Sequence, residues 1–192
     1  MALKKPAVFA LVAAAALGST SVCLSADALP KAIQAQIPHG FEVMQSAPGP
    51  ELGNKRQSLL VVVHHAVDTM ANASPRPLLI FESQDDGAFK LTARNDLVVL
   101  RADEGGQCDP FDEDDEGLAV KGAYFTVQNA VACGSHWSDF VTFRYDAKAG
   151  EWLFHSEIHT MSFPLEGAPD KTSVTRADKA KPVAFADWKP AH

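Results

Sequence analysis

The chain has 192 residues, 46% of them hydrophobic, and a formal net charge of -7. That length supports one ordinary domain with a buried core. The acidic balance repels phosphate backbones and anionic headgroups, which excludes nucleic-acid binding.

Lys4 and Lys5 open the chain, Ala7 to Leu17 is an unbroken apolar run, and Ala26-Asp27-Ala28 follows the small-x-small rule of signal peptidase. The run is short of the ~20 residues a membrane helix needs. Residues 1–28 are therefore expected to be an export signal cleaved near Ala28, leaving residues 29–192 as a single β-rich domain, periplasmic or secreted. A lipid anchor on Cys23 fits poorly, because Val22 and Thr20 stand where a small residue and Leu are usual. Cleavage removes Lys4, Lys5 and Asp27, so the mature chain carries about -8. After the signal no membrane span is expected, since no long apolar run remains.

Leu29, Ile33 and Ile37 recur at helical spacing, and Pro38 and Gly40 end that short helix. The period then changes. Ser58 to Val67, Arg76 to Gln84, Ala88 to Asn95, Leu97 to Ala102, Ala123 to Val131, Asp139 to Ala147 and Glu151 to Met161 read as strands. They are rich in β-branched and aromatic residues and are bounded by turn chemistry. Gly87 and Gly150 suit hairpin turns, whereas Ala47 to Gln57 and Ser74 to Pro77 read as loops. Strands that follow one another through short turns predict a mainly β, antiparallel meander. In the polar tail, Thr175 is placed to cap a helical turn at Arg176 to Lys179, and Val183, Phe185 and Trp188 are expected to dock on the sheet.

Two cysteines stay in the mature chain, Cys108 and Cys133. An oxidising compartment and an even count favour a disulfide. The alternatives are free thiols or a metal pair, and neither a CxxC nor a His at ligand spacing supports the pair.

The segments His39 to Val63, Arg76 to Asp96, Cys108 to Phe111, and Gly134 to Tyr145 resemble a group of exported bacterial proteins of undefined function. Those proteins carry a segment similar to the FG-GAP, integrin-propeller repeat. "ARND" (Ala93 to Asp96) and "DPF" (Asp109 to Phe111) are the most specific pieces of the likeness. The resemblance implies a single degenerate copy, folded as one twisted or rolled sheet like a propeller blade. It departs from the repeat at the calcium loop. Here the chain reads Pro48 to Ser58, with Glu51 and Asn54 as the remaining oxygen ligands beside Lys55 and Arg56. A hard cation would meet repulsion there.

The densest chemistry is "DPFDEDDEG", Asp109 to Gly117. Asp112, Asp114 and Glu116 alternate as in a calcium loop, but Val120 and Ala123 stand where either register needs its closing carboxylate. A weak calcium site at Asp112, Asp114 and Glu116, a solvated loop and a steering surface for a basic partner all remain open. His64 and His65 point to opposite faces of a strand, and His155 and His159 share one face about 13 Å apart by strand rise. Neither pair suits one metal. Ser135 beside His136 lacks a nucleophile elbow, and no phosphate loop or dinucleotide fingerprint implies a cofactor. The expectation is a monomeric, non-catalytic binding protein. Its surface would comprise Phe111, Asp112, Asp114, Asp115, Glu116 and Trp137, held by Cys108–Cys133, and its partner would be a protein or peptide with a basic face. The alternatives are an envelope hydrolase working through carboxylates and a structural envelope protein.

Overall fold

The computed structural model describes residues 29–53, 56–112, 117–134, 136–164 and 167–190. They form a mainly β protein of two antiparallel sheets and one short helix. Helix α1 is Lys31–Gln34. The first sheet is a meander of β1 (Phe41–Pro48), β2 (Ser58–His65), β3 (Leu78–Ser83) and β4 (Phe89–Asn95). The second is a meander of β5 (Leu118–Lys121), β6 (Tyr124–Val131), β7 (His136–Asp146), β8 (Glu151–Phe163) and β9 (Ala168–Arg176). The antiparallel meander stands, but as two packed sheets rather than one rolled sheet.

Why two sheets form is visible in β2 and β3. Leu60, Val62, Leu78 and Ile80 face a core shared with Phe125, Val127, Val141 and Phe143 of the second sheet. Leu59, Val61, Val63, Leu79 and Phe81 face the other way, onto Leu29 and Ile33. These strands are dry on both faces, which accounts for their continuous apolar runs. A four-residue helix has little stability of its own. Burial of Ile33, worth roughly 1.5–3 kcal/mol, holds it in place. The Gln36 side chain adds a second tie, donating to Phe89 O at 2.7 Å and accepting from Leu91 N at 3.1 Å along the edge of β4.

In β6, Phe125, Val127, Asn129 and Val131 are buried, while Tyr124, Thr126 and Gln128 are half-exposed, so one face is dry and the other wet. The hairpin glycines take φ of +80° at Gly87 and +68° at Gly150, a region closed to most side chains. At the centre, the rings of Phe125, Phe143, Trp152 and Phe185 meet at 5.0–5.8 Å. Buried Glu82 of β3 joins the sheets, accepting from Trp152 Nε1 at 2.9 Å and pairing with Arg56 at 3.0 Å.

Four expectations need correction. Leu97 to Ala102 is a loop held by side-chain amides. Asn95 Oδ1 accepts from Leu97 N and Val98 N, and the Asn129 carboxamide bonds Leu100 N and Val98 O. Those backbone groups are satisfied without a partner strand. Second, the loop expected from Ala47 to Gln57 begins two residues later, because β1 runs on to Pro48, with an irregularity between Val43 and Gln45. Third, Thr175 lies in β9, and Arg176 to Lys179 is not helical; Asp178 caps the turn instead, accepting from Ala180 N at 2.8 Å. Fourth, His155 and His159 do not share a face. An irregularity in β8 leaves His155 against Tyr124 and His159 against Trp137. Of the tail residues, Phe185 and Trp188 dock in the core, tied by Asn95 Nδ2 to their carbonyls, while Val183 is exposed. Among the described residues no helix is long and apolar enough to cross a membrane.

Candidate functional site

Cys108 and Cys133 are joined, their Cα atoms 6.1 Å apart across a separation of 25 residues. The bond ties the segment before the acidic run to the β6–β7 turn. One residue on, Asp109 forms a bidentate pair with Arg76 at 2.5 and 2.6 Å and accepts from Phe111 N at 3.0 Å. Arg76 is 2% exposed and also bonds Asp68 at 2.6 Å and the carbonyls of Leu100 and Phe111. Asp68 is held in turn by the backbone N–H and hydroxyl of Ser74.

The charges in this triad sustain one another. Burial works against ionisation of Asp68, but hydrogen bonds from Arg76 and Ser74 outweigh it and hold the carboxyl below its ordinary value. Burial likewise opposes the charge on Arg76, and Asp109 with Asp68 reverses the effect, raising it. The β2–β3 connection, the loop before Cys108 and the start of the acidic run thus share one buried cation.

Phe111 lies in the core at 1% exposure, so it is a root of the loop and is not offered to a partner, contrary to the sequence expectation. At the other end, Gly117 sits against the Phe111 ring, where a β-carbon would collide with it. Backbone bonds fix both ends to β6: Ala130 N to Pro110 O and Gln128 N to Gly117 O, each 2.8 Å. The chain leaves at Phe111 and returns at Gly117, with the carboxylates of Asp112 to Glu116 between. Asp112 is exposed. Asp114, Asp115 and Glu116 lie outside the described residues, and with them most of the weak calcium reading. Among the described residues no cluster of three His, Cys, Asp or Glu side chains is placed to hold a metal.

Trp137 is half-buried, its ring stacked on His159 at 6.1 Å. The same face of β7 and β8 carries Asp139, 5% exposed and paired across the strands with His159, and Glu157, 7% exposed. For Asp139 the available signal is its place two residues before Val141 and four before Phe143, on the buried side of β7, whereas the alternation of Glu157 with Ile158 gives no such sign. Arg76 stands where the expected loop Ser74 to Pro77 overlaps the expected strand Arg76 to Gln84. A lone Arg between Ser74-Pro75 and Pro77 carries no periodic signal of its own.

No family model, curated protein or solved structure matches this chain.

Proposed function

We propose that this chain is an exported, non-catalytic binding protein that presents the carboxylates of Asp112 to Glu116 to a protein or peptide with a basic face. The observation that carries the reading is the pinning of both ends of that run. A disulfide, a bidentate ion pair to buried Arg76 and the Phe111–Gly117 contact fix where it leaves and re-enters the fold. Anchored roots lower the entropy lost when a loop is ordered against a partner. Clustered carboxylates steer cationic partners and raise association rates. The likeness of Ala93 to Asp96 and Asp109 to Phe111 to exported FG-GAP-like proteins agrees with a module whose loops do the recognising. Asn95, which is buried, and Asp109, paired with buried Arg76, are anchors in those segments here. The test is a pull-down from envelope extract with Asp112, Asp114 and Asp115 replaced by Asn. Loss of a captured basic protein is expected, and an unchanged set contradicts the reading.

One observation favours a second reading, an envelope hydrolase working through carboxylates: Asp139 and Glu157 are both buried on the face that carries His159. Turnover of a purified envelope glycan, abolished in Glu157→Gln, would establish it, and absence of turnover removes it.

A further inference from the structure

The roots of the acidic run, Pro110 and Gly117, are bonded to Ala130 and Gln128, toward the end of the second sheet marked by Val131 and Trp137. The opposite end, marked by Tyr124 and Arg144, is about 23 Å along β7 at ordinary strand rise. There the segment after β9 turns back and meets β8, with Leu153 bridging Ala184 and Phe154 N donating to Val183 O at 2.9 Å. Between this returning segment and the outer face of the sheet is a groove of about 650 Å³, within the ~300–1,000 Å³ range of small-molecule sites.

The groove's charges are not balanced. Asp146 lines it, but its Oδ1 accepts from Lys148 N and Ala149 N, and its Oδ2 pairs with Arg144 at 2.9 Å. Those backbone bonds, above all, keep its carboxyl below the ordinary value, so it stays an engaged anion. Asp178 Oδ1 accepts from Ala180 N. Arg176 and Lys179 line the same groove, both are exposed, and among the described residues no carboxylate pairs with either. Tyr124 and His155 supply a ring surface beside them, packed edge to face at 5.0 Å. Two unpaired cations therefore converge on an aromatic wall in a chain whose formal net charge is -7.

We propose that this groove binds an organic anion, a carboxylate or phosphate ester carried on a planar or apolar body. Arg176 and Lys179 contact the charged group, and Tyr124 with His155 contacts the body. Arg suits the role because its planar fork matches a carboxylate or phosphate with two parallel hydrogen bonds. The site is separate from the acidic run and does not depend on it.

The test is titration of the full mature chain with phenyl phosphate, followed by amide chemical shifts and calorimetry. Inorganic phosphate and benzyl alcohol are run alongside it. Saturable shifts at His155, Arg176 and Ala177 are expected. Phenyl phosphate should bind at least tenfold more tightly than either control, and the Arg176→Gln/Lys179→Gln double variant should weaken it at least tenfold. Both residues are exposed, so that variant is expected to fold; an unchanged urea midpoint checks this. Three results each overturn the proposal: no saturable shift at 10 mM, equal binding of inorganic phosphate, or full binding by the folded double variant.

Discussion

Replacing Arg76 by Met removes the cation from an enclosed site. Arg76 donates five hydrogen bonds, two to carbonyls and three to carboxylate oxygens. The two carboxylates then fare differently. The Asp109 side chain is 21% exposed and can recruit water, whereas the Asp68 side chain is 0% exposed. Asp68 keeps the Ser74 bonds but loses its counter-charge. Breaking a buried ion pair from one side costs about 3–5 kcal/mol. That corresponds to a fall in Tm of roughly 6–20 °C for a chain of this length. Most of the loss arises from a stranded Asp68, so Arg76→Met/Asp68→Asn should recover more than half of it. Urea denaturation at pH 7, with the disulfide intact and m-values compared, measures both variants. An Arg76→Met unfolding free energy within about 1 kcal/mol of wild type, or a double variant no better than the single, would refute the account of a shared buried cation.

The remaining predictions concern the same anchors. Cys108→Ala/Cys133→Ala should lose roughly 3.5 kcal/mol by the loop-entropy relation for the closed segment, and non-reducing peptide mapping should recover a linked Cys108–Cys133 peptide from wild type. Two free thiols would contradict it. The pH dependence follows from Asp68, whose folded pKa is depressed. Its contribution is fully present above the unfolded carboxyl value of about 3.9 and is lost as pH falls through the folded pKa. Asp68→Asn should therefore be less stable at pH 7 and show a flatter acid limb in urea midpoints taken from pH 7 down to pH 2; a parallel limb would refute the linkage.

The strands with a clean period of two, β6 and β7, were legible because one face is dry and the other wet. So were the doubly buried runs of β2 and β3, although period alone did not reveal that they sit between a helix and a second sheet. β9 escaped notice for a physical reason. All nine of its residues are exposed, so its polar sequence carries no packing signal, and pairing with β8 makes it a strand. Leu97 to Ala102 misled in the opposite sense. Val98 and Val99 are adjacent and both buried, which a strand facing one core does not permit, and the side chains of Asn95 and Asn129 replace the ladder. Within the acidic run, the sequence located the disulfide and the charge. Whether an aromatic next to the charge faces in or out depends on its packing in the core shared by the two sheets, and Phe111 faces in.

The central claim is that the carboxylates of Asp112 to Glu116 recruit a basic partner by electrostatic steering. It is tested most directly by stopped-flow association with a labelled octalysine peptide at several ionic strengths, comparing wild type with the Asp112→Asn/Asp114→Asn/Asp115→Asn variant. The account predicts fast, steeply salt-dependent association by wild type, with on-rates about tenfold lower and a shallower salt slope in the variant. Equal on-rates and equal salt slopes for the two proteins would contradict it.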